Sequence, residues 1–558
     1  MVLPDSDLKK IISQRGAVDE KNLALVEEFA KATKVPLSVA LVEKGILTDE
    51  QVGTFMATAY NVPFVSLSKI SVSEDVAHII PDRVARRRRA VVFERSQTEV
   101  KIAMSDPSDK ALLSSVARKT GLRAMAYYAT PKDIDRVLQL YKKVLQKEID
   151  TLLTVTKPGV IDEAPVVKIV DELIYDAYQN GASDIHIEPD LDGGSLIRFR
   201  IDGVLQDVSV LPSPLHDRII TRIKVLSNLR TDEHLSAQDG KMRMSLTEEE
   251  LDIRVSIVPV ADGEKSVLRL LSSRSREYTL VDLGMSEADL AKVNLAISKS
   301  FGMVLSTGPT GSGKTTTIYA ILKILNTREK NITSVEDPVE YRIKGANQIH
   351  VNPKTNLTFA SGLRSILRQD PNIIFVGEIR DAETAGIAVN AALTGHLVLT
   401  TIHTNDAATT IPRLIDMKVE PYLVGSTVNV IIGQRLVRKN CEFCRAEVAL
   451  DREDLVKNLN EEVVTKYFGK EPKIKVYKGK GCKVCNMKGY SGRIGIFEIL
   501  LITNEMKKLI LEKTDSNVIA KEAIKNGMTT MLDDGLTKVA KGLTTIEEVL
   551  RVTKVEEL

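Results

Sequence analysis

The glycine-rich stretch at residues 308–315, GPTGSGKT, constrains the fold more than any other part of the chain. It matches the phosphate-binding loop pattern GxxxxGK[ST]. Residues 302–307 before it predict a strand, and residues 316–325 after it predict a helix. Because the motif requires strand, glycine loop and helix in that order, a glycine-rich turn that matches by chance is the weaker interpretation.

Each residue type in this loop suits a nucleotide triphosphate. Glycines allow backbone N–H groups to approach phosphate oxygens at the positive end of a helix. The Lys314 ammonium is expected to reach the β- and γ-phosphates, and the Thr315 hydroxyl to bind Mg²⁺. The predicted nucleotide-binding residues are Gly308, Pro309, Thr310, Gly311, Ser312, Gly313, Lys314, Thr315 and Thr316.

Length and composition are those of a multidomain globular protein. The 558 residues exceed a single core, so about three or four domains are expected. A net charge of +2, 4% aromatic residues and no Trp give no support for nucleic-acid binding. Without a signal-peptide pattern or a run of about 18 apolar residues, the chain is expected to be cytoplasmic and to meet a membrane through partners.

Changes of pattern along the chain predict its domain organisation. In order, the predicted segments are an N-terminal helical module (1–70), an α/β module (71–146), a linker (147–163), an α+β domain (164–272), a second linker (273–283), an α/β nucleotide-binding domain (284–436), a cysteine-containing segment (437–497) and a C-terminal helical region (498–558).

Two groups of arginines in the first half leave alternatives open. The run at residues 86–89 is interpreted as a solvated helix end, with a docking surface for an acidic partner as the alternative. Arginines also recur on one alternation phase of the α+β strands. They form either a solvated sheet face or a positive surface for phosphates, and they are Arg198, Arg200, Arg254 and Arg269.

Three stretches downstream of the loop each predict a buried strand that ends in polar residues. Residues 332–341 end in acids that include Glu340, residues 373–378 end in Glu378, and residues 397–403 end in His403. Since parallel strands present their carboxyl ends at the ligand edge of a sheet, these side chains are candidates for a phosphoryl-transfer site. The alternatives are a surface turn, a helix-capping acid and a structural histidine.

Four cysteines form two CxxC pairs, at Cys441 and Cys444 and at Cys482 and Cys485. In a cytoplasmic chain this spacing favours one tetrahedral Zn²⁺ held by four thiolates. Redox chemistry is the weaker interpretation, because neither pair opens a thioredoxin-like βαβ pattern, and free buried thiols remain an alternative.

These segments together resemble the secretion-type hexameric ATPases, and among them the type IV pilus assembly ATPases and the related type II secretion ATPases. The likeness covers residues from about 165 to 500, and residues 70–145 resemble the family's N-terminal module. The matching segments are GASDIHIEP at 181–189, the loop at 308–315, the acidic box at 336–340, LRSILRQDP at 363–371, GEIRD at 377–381, TGH at 394–396, TIHTND at 401–406 and GYSGRIGIFE at 489–498.

The resemblance implies a fold and a working assembly. It implies an α/β protein with a RecA-like P-loop ATPase core, a PAS-like α+β domain before it, N-terminal helical and α/β modules, and a zinc-bound C-terminal excursion. It also implies a cytoplasmic homohexamer, peripheral to the inner membrane, that works on a platform protein in that membrane. The implied cofactors are ATP, Mg²⁺ and Zn²⁺.

The resemblance further implies residue roles. Glu340 would be the general base for water, Glu378 would hold Mg²⁺ or its water, and His403 would sense the γ-phosphate. Arg254 and Arg269 would reach the nucleotide from the α+β domain.

Two other functions are considered. The same engine in type II secretion would power protein export, and a nucleotide-gated binding module would use ATP as a switch. Some family members bind cyclic di-GMP through a repeated arginine-led RLGxxL motif with a closing Gln. Here residues 35–38, VPLS, occupy its start and Tyr60 its end, which argues against binding of this dinucleotide.

Overall fold

The computed structural model describes residues 5–33, 35–70, 72–141, 149–150, 163–190, 194–212, 215–246, 249–272 and 278–553. Most of the predicted linker 147–163 and residues 273–277 of the second linker therefore lie outside the described residues. The chain divides into two compact units, one built mainly from Gly53–Ser275 and one from Pro4–Val52 with Arg276–Leu558.

The N-terminal residues form helices, as predicted. They are α1 (Asp5–Gln14), α2 (Glu20–Thr33), α3 (Leu37–Glu43) and α4 (Asp49–Tyr60). Thr48 and Gln51 exchange backbone-to-side-chain hydrogen bonds in the predicted capping box before α4. The predicted module 1–70 is nevertheless split between the units inside α4. Gly53 packs closely against Phe64 and against Thr130 of the α/β module, which places the end of α4 in the first unit.

The α/β module of the first unit has a three-stranded sheet in the order β1-β2-β3, with β1 and β2 antiparallel and β2 and β3 parallel. The predicted strands at residues 91–93 and 100–104 are present, and so is the helix that Thr130 caps. Its elements are α5 (Glu74–Ala77), α6 (Asp82–Arg88), β1 (Ala90–Arg95), β2 (Glu99–Met104), α7 (Lys110–Thr120), β3 (Arg123–Tyr128) and α8 (Pro131–Leu138).

Internal contacts occupy much of the basic run at residues 86–89. Arg86 is buried and donates to Asp82 and to the Leu138 carbonyl. Arg88 lies 3.2 Å from a carboxylate oxygen of Asp109, and Arg89 pairs with Asp135. Arg86 is therefore not solvated, contrary to the prediction, whereas Arg88 and Arg89 keep partly exposed side chains at the helix end.

The rest of the first unit is a six-stranded antiparallel sheet, β6-β5-β4-β9-β8-β7, with two helices packed on one core. Alternating apolar residues on β5, β8 and β9 are buried, which explains the pattern that predicted these strands. The elements are α9 (Glu163–Gln179), β4 (Ala182–Pro189), β5 (Ser195–Ile201), β6 (Val204–Leu211), α10 (His216–Leu226), β7 (Gln238–Ser245), β8 (Glu250–Val260) and β9 (Gly263–Leu271).

The second unit is organised around a seven-stranded sheet in the order β12-β11-β13-β14-β10-β15-β18. The first six are parallel, and both faces are covered, since Met303 and Leu305 enter one core and Val304 the other. The elements up to the sixth strand in this list are α11 (Glu287–Ile297), β10 (Gly302–Thr307), α12 (Lys314–Leu325), β11 (Ile332–Glu336), β12 (Ala346–His350), α13 (Phe359–Ile366), β13 (Ile373–Val376), α14 (Ala382–Leu393), β14 (Leu397–Ile402), α15 (Thr410–Asp416), α16 (Pro421–Thr427) and β15 (Val428–Asn440).

The predicted cysteine segment is an excursion between two neighbouring strands, because β15 pairs antiparallel with β18. Each of the boundaries predicted at 436/437 and 497/498 falls inside one of these strands, whose pairing continues to Leu501. The remaining elements are β16 (Arg445–Asp451), α17 (Arg452–Val456), α18 (Glu461–Phe468), β17 (Lys473–Gly479), β18 (Tyr490–Leu501), α19 (Asn504–Leu511), α20 (Ser516–Lys525), α21 (Met531–Ala540) and α22 (Ile546–Thr553). Within the described residues, no helix combines the length and apolarity needed to span a bilayer.

Candidate functional site

The glycine loop joins β10 to α12, in the order that the sequence predicts. Gly308 has φ +146°, and a Cβ there would lie 2.4 Å from the Gln434 carbonyl oxygen. Gly313 has φ +90° and precedes the first residue of α12. A side chain is therefore excluded at Gly308 and Gly313 for steric and conformational reasons. The first N–H groups of α12 have no partner within the helix, so they can bind an anion.

Lys314 begins α12 and is buried. Its ammonium donates to the carbonyl oxygens of Gly308 at 2.8 Å and Pro309 at 3.0 Å. Burial lowers the pKa of Lys314 to about 8, although the negative charge of Glu378 acts in the opposite direction. The loop thus holds a desolvated cation at its centre, as a phosphate site requires.

The carboxyl ends of β13 and β14 bring two predicted residues into contact. These strands pair in parallel, with Val376 opposite Thr400. Glu378 follows β13 and His403 follows β14, and the His403 Nε2 lies 3.1 Å from a Glu378 carboxylate oxygen. Arg380 pairs with the other oxygen of Glu378. The Glu378 carboxylate is therefore fixed at the same sheet edge as the loop.

Hydroxyl groups connect the ends of these strands to the loop strand. Thr307, the last residue of β10, donates to the Thr404 carbonyl at 3.0 Å. Thr401 of β14 donates to the Gly377 carbonyl at 2.8 Å, one residue before Glu378. These cross-strand bonds hold the residues around His403 and Glu378 in register with the loop.

The acidic box after β11 contains two different environments. Glu336 is buried, and burial raises the pKa of its carboxyl group. Its oxygens accept from Ser334 at 2.5 Å, from Gln348 at 3.0 Å and from the Tyr319 hydroxyl. Glu340, the predicted base, is exposed. The buried carboxyl group therefore anchors the turn that presents the exposed one.

Sequence reasoning did not identify two side chains of α12 that support this site. Tyr319 is fully buried and bonds Glu336, and Thr317 donates to Gln434 of β15 at 2.6 Å. A tyrosine at a core position of the loop helix could have indicated such a contact, because a buried hydroxyl needs a polar partner.

The two residues predicted to hold Mg²⁺ lie on different elements of the nucleotide-binding sheet and its loop helix. Thr315 lies in the first turn of α12 and is partly exposed, and Glu378 follows β13. A hydroxyl and a carboxylate oxygen are ligands that Mg²⁺ accepts, so the side-chain chemistry fits. Thr316 follows in the same helical turn.

The predicted arginines lie in the first unit, on paired strands. Arg254 of β8 is the register partner of Arg269 of β9. The Arg269 Nε donates to Asp184 at 2.9 Å, and Arg200 pairs with the same carboxylate. Arg198 pairs with Glu188. The contact of Arg254 and Arg269 with a nucleotide stays a prediction.

The four cysteine sulfurs lie within 4.8 Å of one another, and none is in a disulfide. Cys441 follows β15, and the pairs Cys441–Cys482 and Cys444–Cys485 have sulfurs 3.8 Å apart. A tetrahedral Zn²⁺ with bonds of about 2.3 Å needs sulfurs about 3.8 Å apart, so the set fits this metal.

Backbone donors surround these sulfurs. The N–H groups of Cys482 and Gly489 lie 3.2 Å from the Cys485 sulfur. Burial acts to raise the pKa of Cys485, but hydrogen bonds from these N–H groups and from the Cys482 and Cys444 side chains outweigh it, so the pKa is lowered. Burial raises the pKa of Cys441 and Cys444. Donation of this kind stabilises a thiolate, the form that binds metal.

Comparison with known families assigns most of the chain. The model described as "Type II/IV secretion system protein" matches residues 160–551, and the model described as "MshEN domain" matches residues 60–146.

Relatives and a solved structure agree with these matches. The type IV pilus assembly ATPase PilB of Myxococcus xanthus is 35% identical over 565 residues, covering 97% of this chain and 98% of the relative. The type II secretion system ATPase E of Vibrio cholerae is 43% identical over 396 residues, covering 70% of this chain and 76% of the relative. The Legionella pneumophila ATPase DotB structure, 20% identical, superposes with a TM-score of 0.51 over 72% of this chain and 98% of its own, which supports the fold alone.

Proposed function

Because the chain belongs to the type II/IV secretion system protein family, we propose that it is a motor ATPase that couples ATP hydrolysis to type IV pilus assembly. It is an ATP-hydrolysing enzyme of this family. Pilus assembly is favoured because the pilus assembly relative aligns with the N-terminal region as well as the core, over 97% of the chain. Export by type II secretion is the second candidate, favoured by the higher identity of that ATPase over the core.

The observation that carries the enzymatic part is the shared sheet edge. It places the Lys314 loop, the Glu378–His403 pair and the acidic turn after β11 at the carboxyl ends of adjacent strands. A phosphate cradle, carboxylates and a polar sensor are the groups that hydrolysis of a phosphoanhydride needs.

The proposed roles follow from the chemistry of each group. Lys314 and the loop N–H groups bind phosphate oxygens, and Thr315 with Glu378 would hold Mg²⁺, which supplies positive charge for the phosphates. Glu340, the exposed acid, takes the proton from the attacking water. His403, held by Glu378, contacts the γ-phosphate through its imidazole.

The proposed motor also uses two arginines outside the nucleotide-binding sheet, a ring of six subunits and a membrane partner. Arg254 and Arg269 of the PAS-like α+β domain supply further positive charge to the nucleotide, in a homohexamer on the cytoplasmic side of the inner membrane. A platform protein in that membrane receives the motion. The four cysteines hold Zn²⁺ at the base of the excursion, where the metal has a structural role. Cyclic di-GMP is not among the proposed ligands.

Substitution of the two central residues tests the enzymatic part. Lys314→Ala is expected to abolish nucleotide binding and turnover. Glu340→Gln is expected to keep nucleotide binding but to slow phosphate release by about 10²–10⁴-fold, the usual contribution of a general base. Glu512→Gln, at an exposed position, removes the same charge elsewhere and is the control.

Two results would contradict these roles. Near-normal turnover in Glu340→Gln excludes Glu340 as the base, and normal binding in Lys314→Ala excludes the loop as the phosphate site. Deletion of the gene separates the two transport functions, since loss of surface pili supports assembly and loss of exported proteins with intact pili supports secretion.

A further inference from the structure

Lys44, outside the nucleotide site, contacts the helix that forms it. Lys44 follows α3, and its ammonium donates to the carbonyls of Lys323 at 3.0 Å, Ile324 at 3.3 Å and Asn326 at 2.5 Å. The first two belong to the last turn of α12 and the third to its C-cap. One cation thus binds three carbonyl oxygens at the end of the loop helix.

These carbonyls are suited to a cation. The last carbonyls of a helix have no partner within it, and they carry the negative end of the helix dipole. Asn326, whose backbone is extended, ends α12 and donates through its side chain to the Lys344 carbonyl at 2.7 Å. A lysine from a different segment therefore satisfies oxygens that the helix cannot satisfy itself.

The Lys44 ammonium is also held from the N-terminal side. It lies 4.2 Å from the ring centroid of Phe29 on α2, within range of a cation–π interaction. Beside it is a cleft of about 280 Å³, lined on one side by α2 residues and on the other by residues after α12. The ammonium contacts Phe29 on one wall of this cleft and the Asn326 carbonyl on the other. It is therefore a specific point of attachment of α2 and α3 to the loop helix.

The two ends of α12 have different tasks. Its first turn contains Lys314 and Thr315, and its last turn is bound by Lys44. The helix has 12 residues, about 18 Å at 1.5 Å per residue. A helix of this length moves as one body, so a shift at the phosphate end changes the geometry of the carbonyls at the other end.

We propose that Lys44 is a positioning residue that couples the N-terminal helices α2 and α3 to the phosphate-binding helix. Attachment of these helices favours the position of α12 that binds nucleotide, and nucleotide binding strengthens the attachment. By linkage the two effects are equal in free energy. This inference rests on the proposed nucleotide site and adds a regulatory contact to it.

Hydrogen exchange of the unmodified chain gives the first test. A non-hydrolysable ATP analogue is expected to slow exchange in the loop and first turn of α12 and also in α2 and α3. Protection of the loop without any change in α2 and α3 overturns the coupling. Absence of protection in the loop itself refutes the proposed nucleotide site, so the two failures are distinguishable.

Three variants give the second test. Lys44→Met is expected to raise the ATP KM about three- to tenfold, the range of one partly buried cation at a helix C-terminus, with a smaller change in kcat. Lys44→Arg keeps donors for the carbonyls and is expected to restore most of the affinity. Lys21→Met, at an exposed position of α2, removes the same charge and is expected to behave as the unmodified protein.

The KM values and the exchange protection together decide whether Lys44 has the positioning role. A raised KM in Lys44→Met that Lys44→Arg restores, together with loss of the nucleotide-dependent protection of α3, supports the positioning role. An unchanged KM in Lys44→Met, or an equal rise in Lys21→Met, overturns it. If Lys44→Met does not fold, the exchange measurement on the unmodified protein decides alone.

Discussion

The Lys314 ammonium is buried, and it has to carry its charge to hold a triphosphate. Burial lowers its pKa to about 8, so the amine loses its proton as the pH rises through that value. Bound phosphates restore the positive charge, because an opposite charge nearby favours the ammonium. Nucleotide binding at this site is therefore linked to proton uptake.

We predict uptake of a large fraction of a proton when a non-hydrolysable ATP analogue binds at about pH 8.5, and little uptake at about pH 7. At the higher pH the phosphates are fully ionised, so the proton goes to the protein. Calorimetric titration in buffers with different ionisation enthalpies measures it. Lys314→Arg, whose guanidinium stays charged, is the control, and equal uptake in this variant contradicts the assignment.

Tyr319 offers a second test at the residue level. Tyr319→Phe removes the hydroxyl that donates to the buried Glu336. Loss of one partner of a buried polar group is expected to cost about 1–3 kcal/mol of unfolding free energy. If Glu336 anchors the turn that carries Glu340, kcat also falls while nucleotide affinity is kept. Tyr422→Phe, at an exposed position, is the control; equal stability and kcat in both variants would refute the anchor.

At the level of elements, the stability of the excursion between β15 and β18 depends on the cysteine cluster where the excursion leaves and rejoins these strands. The cysteines follow one strand and precede the other, so a metal there closes a long loop between paired strands. Structural zinc contributes directly to folding in small metal-bound segments.

We predict that Cys482→Ser releases zinc, as measured by elemental analysis, and lowers the thermal unfolding temperature of the excursion. The expected decrease in unfolding temperature is several degrees, since loss of a structural metal is among the large destabilising changes. Met487→Ser, in the neighbouring exposed turn, is the control. Unchanged metal content in Cys482→Ser would exclude a four-cysteine zinc site.

The elements that sequence predicted well are those with strong local patterns. The apolar strands β10, β13 and β14, the glycine loop and the capped helix α8 all follow from short-range periodicity and capping. β12 is half-exposed and lacks a continuous apolar run, and sequence reasoning did not identify it. The predicted boundaries fall inside β15 and β18 because the spacing of the cysteines gives no information on how far the flanking strands extend.

Contacts between residues far apart in the sequence could not be predicted from local sequence pattern. The bond from Lys44 to Lys323 spans 279 residues, and the bond from Thr317 to Gln434 spans 117. Neither lysine nor glutamine has a position-specific signal in one sequence, because both are common on surfaces. Such contacts are determined by tertiary packing, so local sequence pattern does not predict them.

At the level of the whole molecule, the proposed motor combines three parts. They are a nucleotide site at a parallel sheet edge, paired arginine strands in the first unit, and N-terminal helices attached to the loop helix. In the proposed homohexamer these arginines would supply positive charge to a nucleotide, as does the arginine that a partner protein supplies to some phosphoryl-transfer enzymes.

The proposed motor is tested by measuring ATP turnover of the purified chain together with its oligomeric mass. Both are measured over a range of protein concentrations, with and without nucleotide. We expect turnover per subunit to rise as the hexamer forms, and nucleotide to promote assembly. Tight ATP binding by a monomer with negligible turnover at every concentration would contradict the motor and favour a nucleotide-gated switch.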